Sequence, residues 1–292
     1  MIRPRRSLLF MPGSNARALE KARNLPADGI ILDLEDSVAP DAKAMARDQI
    51  GQAVAAKGFG KREVLIRVNS LDSPWWIDDV NMAGKARPDG ILVPKISGVK
   101  DLAAIADRLN DINADISIRV WAMIETARAV LHAEELAAAS QDSETRLAGF
   151  VFGPNDISRE TRIRMQPGRA AMIPMITHCI LAAHAYGLEI LDGPYSDFSN
   201  VDGFGQECAQ GRDLGFDGKT LIHPGQIEAC NAIFTPPAEE VAHARKIIAA
   251  FERPENASRG AIQLDGQMVE RLHADMAKRT IAIAEAIAGM GS

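Results

Sequence analysis

Short apolar runs alternate with longer amphipathic stretches along most of this chain. The runs cover residues 7–11, 29–34, 63–68, 90–94, 120–124, 147–152, 188–191 and 219–222. Each is too short for an ordinary helix and is closed by a turn former or a charge, as expected of strands buried on both faces. Between them lie segments of helical composition, rich in Ala, Leu, Glu and Arg, at 41–57, 99–110, 126–139, 168–186 and 203–214, with a further helix expected over 15–24. Strict alternation of strand and helix predicts an α/β protein with a parallel sheet. Eight units, spaced by about 25–35 residues, predict that the sheet closes into a (β/α)8 TIM barrel. The rival is an open doubly wound sheet. It usually carries a G-x-G-x-x-G turn after its first strand, and Pro12-Gly13-Ser14-Asn15 lacks that spacing.

The eighth unit ends near Phe234, and Pro236-Pro237 marks a break. Beyond it the pattern predicts a helix over 238–251, a polar stretch over 253–260, a short apolar segment over 261–264, a turn at Asp265-Gly266 and a long final helix over 269–288. The expected organisation is a barrel domain over 1–235 and a C-terminal helical extension over 236–292. The apolar face of that extension must be buried against its own barrel or a neighbouring subunit.

Composition narrows the class. Apolar residues make up 47% and charged residues 25% of the 292 positions, as in a globular enzyme. A net charge of −6 argues against a nucleic-acid partner, although Arg3, Arg5 and Arg6 form a local basic cluster. No apolar core of a targeting peptide follows those arginines, and no run of about 18 apolar residues exists to span a membrane. Cys179, Cys208 and Cys230 are widely spaced and odd in number. That pattern predicts buried thiols in a reducing cytoplasm, not a disulfide framework.

Charges cluster where the apolar runs end: Glu35-Asp36, Arg67 with Asn69, Lys95, Glu125, Asp156 within Gly-Pro-Asn-Asp, Asp192 and His223. A buried strand ends in a charge only where that charge reaches water, a partner or a ligand. In a barrel these ends converge on the face that carries the active site. Glu125 and Asp156 belong to successive units, and two carboxylates plus water and substrate oxygens suit Mg²⁺, with Mn²⁺ as an alternative. Glu35 and Asp36 are placed to hold ligating waters. The competing reading is a structural ion network of these acids with Arg67, Lys95 and Lys219. Zinc is disfavoured, because His223 is the only histidine at a strand end and no Cys/His cluster exists. Arg67 offers a planar fork to a substrate carboxylate or a developing enolate, or serves as an internal partner of Glu35 or Glu125. Lys95 as a Schiff-base lysine is the weaker route.

The segments RRSLLFMPGSN, ILDLEDSV, VLIRVNSLD, ILVPKI, WAMIET, FGPNDIS and DGKTLIHPGQI resemble the citrate lyase beta-subunit-like family of HpcH/HpaI aldolases, and within it malyl-CoA lyases and malyl-CoA thioesterases. The resemblance spans about residues 3–290. It implies a barrel that binds Mg²⁺ and a CoA thioester, with Glu125 and Asp156 as metal-ligating acids. It makes Arg67 the stabiliser of substrate oxygens and enolate, and Glu35 and Asp36 an acidic pair near the metal waters. The family's C-terminal segment usually carries G-x-M-[IV]-D, whose Asp reaches a neighbouring subunit's site; here the segment reads Gly266-Gln267-Met268-Val269-Glu270. Glu270 is thus the candidate trans carboxylate, and a homotrimer or homohexamer is expected. For the CoA portion, Arg6 and the turn Pro12, Gly13 and Ser14 are the candidates. The expected activity is Mg²⁺-dependent cleavage of (3S)-malyl-CoA, or of its β-methylmalyl or citramalyl homologues, to a 2-oxoacid and an acyl-CoA. Hydrolysis of malyl-CoA ranks next. A non-catalytic or carrier-dependent subunit of a citrate-lyase-like complex comes after it. An aldolase acting on pyruvate without CoA is disfavoured by the long extension.

Overall fold

The computed structural model describes residues 2–256 and 258–290. They divide into two compact units, one over 5–232 and one formed by 2–4 with 233–290.

The larger unit contains a closed barrel of parallel strands in sequential order: β1 Ser7–Pro12, β2 Gly29–Asp33, β3 Glu63–Arg67, β4 Gly90–Val93, β5 Arg119–Ile124, β6 Leu147–Phe152, β7 Glu189–Asp192 and β8 Gly218–Leu221. β8 pairs back onto β1 through Ser7 opposite Lys219, which closes the ring. The connecting helices are α1 Ala16–Ala22, α2 Lys43–Ala55, α3 Trp76–Ala86, α4 Val99–Asp111, α5 Ala127–Leu131, α6 Ala133–Ala138, α7 Pro154–Thr161, α8 Ile173–Ala185, α9 Val201–Leu214 and α10 Ile227–Phe234. Leu8, Ile31, Leu65, Leu92, Trp121, Met123, Val151 and Leu191 fill the interior, so seven of the strands contribute to one apolar plug. This is the layered filling of a barrel that is a core and not a pore.

Local chemistry explains where the elements depart from their expected bounds. α8 begins at Ile173, not at 168, because Gly168 and Arg169 both hold positive φ, which a right-handed helix cannot include. The helix expected over 126–139 breaks at His132 into α5 and α6.

In the smaller unit, α11 Ala238–Phe251, β9 Ala261–Leu264, β10 Gln267–Glu270 and α12 Arg271–Met290 enclose a core of their own. Ala244, Ile247, Ala250 and Phe251 pack with Ile262, Val269, Ala274 and Ala277. The final helix starts at Arg271 and not at 269. Residues 267–270 instead pair antiparallel with 261–264 around Asp265-Gly266, both at positive φ, the turn that a two-residue hairpin favours.

All three cysteines are buried free thiols. Among the described residues no helix is long and apolar enough to cross a membrane.

Candidate active site

Side chains alternate along a strand, so the residues two beyond the interior plug face the same way. From Leu8, Ile31, Leu65 and Met123 that parity leads to Phe10, Asp33, Arg67 and Glu125 at the C-terminal mouth. Asp33 and Arg67 close β2 and β3 and are register partners. Arg67 Nε and Nη2 donate to Asp33 Oδ1 and Oδ2 at 2.6 and 2.7 Å, a bidentate pair. The guanidinium lies over the Phe10 ring, 4.8 Å from its centroid. Its remaining nitrogen, Nη1, is 2.9 Å from Glu35 Oε2 and 3.6 Å from Asp36 Oδ2. Lys95 Nζ donates to Glu35 Oε1. The backbone N–H of Lys95, a residue at positive φ, donates to Glu125 Oε1 at 2.7 Å.

Asp33 was not among the residues that the ends of the runs singled out, yet it takes most of the Arg67 fork. The signal for it was present, since Asp33 shares the two-residue parity of Ile31 and Glu35. Glu35, Arg67, Lys95 and Glu125 do meet at one mouth, with Asp36 exposed at its edge. Asp156 does not end a strand. β6 stops at Phe152, and Asp156 lies on the first turn of α7, where Arg159 Nη2 donates to its Oδ1 at 2.6 Å. Its charge is nevertheless felt at Glu125. Burial, then the neighbouring charge of Glu35, push the Glu125 carboxyl up to about 7, with Asp156 adding to the rise against the Lys95 N–H and Arg67. Burial also raises Glu35, and Arg67 and Lys95 offset only part of this. Burial acts on Asp33 in the same direction, but Arg67 outweighs it and holds that carboxyl below its ordinary range.

The turn Pro12-Gly13-Ser14 sits at this mouth. Gly13 N–H donates to Asp33 O at 2.9 Å, and a Cβ on Gly13 would lie 2.7 Å from that oxygen, so only glycine allows the approach. Arg6 requires a correction. It precedes β1, at the opposite end of the barrel, and its Nε and Nη2 are taken by Asp28 at 2.9 and 2.7 Å. Arg5 is likewise held there by Glu63, the first residue of β3. Both arginines seal the N-terminal face and lie away from the mouth.

A second buried charge network gathers at the end of β7. Asp192, which ends β7, accepts from Arg169 Nη1 and from Lys219 Nζ, each at 2.8 Å, and Lys219 also donates to Glu207. Lys219 is therefore committed here and does not balance the acids at the mouth. His223 caps a turn through its Nδ1 and stacks on Phe198, which occupies it structurally.

The residues 6–224 match the model of the HpcH/HpaI aldolase/citrate lyase family. The chain belongs to this family. It is 45% identical to a (3S)-malyl-CoA thioesterase of Cereibacter sphaeroides over 99% of this chain and 98% of that protein. It is 34% identical to the citrate lyase subunit beta of Escherichia coli K12 over 97% of this chain and 94% of that protein. Among solved structures, CitE of Mycobacterium tuberculosis in complex with magnesium, acetoacetate and coenzyme A has a TM-score of 0.76 at 27% identity, covering 96% of this chain and 97% of that one. These relatives are a CoA thioesterase and a lyase subunit, and this chain is an enzyme of their family.

The donor set fits a hard divalent cation. Among the described residues no group of three or more His, Cys, Asp or Glu is arranged to hold a metal, but Mg²⁺ requires only one or two carboxylates. Glu125 and Asp156, whose charge reaches Glu125, would be the two. Gly153 leaves room for the first: a Cβ there would press on Glu125 Cβ and lie 2.9 Å from Oε2. Glu35 Oε2 is buried against Arg67 Nη1 at 2.9 Å but accepts no hydrogen bond of good geometry, which leaves it lone-pair capacity for a ligating water.

Proposed function

We propose that the protein acts on (3S)-malyl-CoA, or a close 3-hydroxyacyl-CoA homologue, and that hydrolysis to malate and free CoA is its principal outcome. The meeting of Glu35, Arg67 and Glu125 at one mouth, in a chain 45% identical to a malyl-CoA thioesterase, carries this reading. It reverses the order that the motifs alone suggested. Retro-Claisen cleavage to glyoxylate and acetyl-CoA remains the second reading, favoured by the similarity to citrate lyase beta subunits.

Glu125 and Asp156 would hold Mg²⁺. When bound, the ion supplies Lewis-acid polarisation of substrate oxygens and fixes their orientation. Arg67 Nη1, which the Asp33 fork does not use and which lies 2.9 Å from Glu35 Oε2, would stabilise the thioester oxygen where enolate charge develops. Phe10 and the Asp33 carboxylate keep that guanidinium from turning. Glu35 and Asp36 orient water at the mouth. In the cleavage reaction water held by Glu35 and Asp36 would take the hydroxyl proton. The C3 oxygen would become the carbonyl of departing glyoxylate, the C2–C3 electron pair would pass into the enolate, and the enolate carbon would take a proton from Glu270 of a neighbouring subunit. In hydrolysis water attacks the thioester carbon and gives up a proton to a carboxylate of the mouth, and the carbon–sulfur bond breaks so that the thiolate leaves and is protonated to free CoA. The Pro12–Gly13–Ser14 turn contacts the CoA portion. The barrel domain over 1–235 carries the chemistry, and the extension over 236–292 acts within a homotrimer or homohexamer.

A product assay on (3S)-malyl-CoA with Mg²⁺ decides between the readings. Malate plus free CoA is expected. Glyoxylate plus acetyl-CoA would transfer the assignment to lyase, and no turnover would end both.

A further inference from the structure

Lys43 is nearly fully buried at the start of α2, where a lysine is rarely found unless something holds it. Its Nζ donates to two backbone oxygens, Leu34 O at 2.7 Å and Glu35 O at 2.8 Å. The ammonium also lies over the Trp75 ring, 5.2 Å from its centroid. Burial, set against the charges of Asp33, Glu35 and Asp79, leaves the amine below its ordinary range. One helical turn on, Arg47 Nε donates to Asp79 Oδ1 at 2.8 Å. Asp79 Oδ2 in turn accepts from Asn69, from its backbone N–H at 3.0 Å and its Nδ2 at 2.7 Å. Residues four apart lie on one helix face. That face of α2 therefore reaches the segment after β2, which carries Glu35, and, through Asp79 of α3, is linked to Asn69 in the segment after β3.

The geometry points to Lys43 as a positioning residue that fixes the Leu34–Glu35 backbone, and so sets where the Glu35 carboxylate stands for the metal waters. This inference rests on the metal-dependent reading of the mouth. A loop held only by its own turn would let Glu35 move with Asp36, which is exposed. The Leu34 N–H donates to Arg67 O and the Glu35 N–H to Asp33 Oδ1, and the paired Lys43 bonds fix the two carbonyls of the same segment. The cation also stands among acids, so its loss makes the mouth more negative. Positioning and charge predict opposite effects on Mg²⁺. Loss of positioning weakens binding, whereas loss of a nearby positive charge alone strengthens it.

The test compares the full-length wild type with Lys43→Met and Lys43→Arg. Mg²⁺ affinity is measured by titration calorimetry without substrate, stability by thermal unfolding, and kcat and KM on malyl-CoA. Positioning predicts that both variants bind Mg²⁺ about 10–100-fold more weakly, the range for groups that orient metal ligands. It also predicts that kcat falls more than KM rises. Arginine keeps the charge but cannot place one nitrogen between the two carbonyls, so it separates the two effects. Tighter Mg²⁺ binding in Lys43→Met with wild-type binding in Lys43→Arg would overturn the inference in favour of charge alone. A folded variant with lowered melting temperature but unchanged Mg²⁺ affinity and kcat would overturn it in favour of a purely structural role. If Lys43→Met does not fold, Lys43→Arg decides: weakened binding supports positioning and wild-type binding rejects it. A wild type that binds Mg²⁺ but leaves malyl-CoA untouched sinks the proposed reaction, while the calorimetric comparison still reads Lys43.

Discussion

Asp33 and Arg67 stand opposite each other on neighbouring parallel strands, and the carboxylate grips the guanidinium through Nε and Nη2 at 2.6 and 2.7 Å. Both side chains are buried, so each has lost its water and depends on the other. The pair turns Arg67 from a mobile cation into a fixed donor whose remaining nitrogen, Nη1, is turned to Glu35 at the mouth.

Breaking that pair from either side is expected to affect both stability and chemistry. Asp33→Asn should lower stability by about 3–5 kcal/mol, the usual effect of removing one partner of a buried ion pair. Arg67→Lys should lower kcat by about 100–1,000-fold, as for loss of one preorganised oxyanion donor. Denaturant unfolding and steady-state kinetics check the two. A near-normal kcat with only a raised KM in Arg67→Lys would reduce the residue to binding.

Metal removal gives the next prediction. Extensive dialysis against EDTA should abolish activity, and Mg²⁺ or Mn²⁺ should restore it. Glu125→Gln and Asp156→Asn should each weaken Mg²⁺ binding by more than the roughly 10–100-fold typical of groups that only orient ligands. Full activity after exhaustive chelation would rule the site out.

Gly153 tests the space around Glu125. Its φ of −107° suits any residue, so Gly153→Ala is not strained by backbone conformation. The added Cβ would press on Glu125 Cβ and Oε2. Mg²⁺ affinity should therefore fall, with far less change in unfolding midpoint than Asp33→Asn shows. Unaltered metal binding in calorimetry would mean that Glu125 moves aside at no consequence.

The Asp192 network predicts an acid-stability effect. Burial alone would raise this carboxyl, but Lys219 and Arg169 outweigh it and hold it below its ordinary value. An acid depressed in the folded state contributes stability above its unfolded pKa of about 3.9 and loses it as pH falls through the folded value. Asp192→Asn should thus be strongly destabilised at pH 7, and its melting temperature should drop less than the wild type's as pH falls below about 4. Parallel curves for the two proteins across that range would show that Asp192 is not the group responsible.

Glu270 ends β10, and its backbone N–H donates to His273 Nδ1 at 2.9 Å, so its position at the hairpin–helix junction is defined. If it serves a neighbouring subunit, Glu270→Ala and Glu125→Gln should each be inactive and should regain partial activity when mixed. Full activity of Glu270→Ala alone, or a monomer by light scattering, would remove the trans role.

The sequence by itself determined the barrel. Eight short apolar runs separated by helical stretches leave a parallel sheet few ways to bury both faces, and strand period is a local property that composition records. It also predicted which end would gather these charges, because Arg67 ends its strand and Glu35, Lys95 and Glu125 follow theirs. Its local pattern did not distinguish residues 267–270 as a strand from the start of a helix, where pairing with 261–264 overrides the apolar run. Only the tertiary structure decided the partners. Arg67 met Asp33 across 34 residues, Arg6 met Asp28 at the far end of the barrel, and Arg169 and Lys219 met at Asp192. Such pairings depend on strand register and on which ring position each unit occupies. Those are set by closure of the whole sheet, and no local period encodes them.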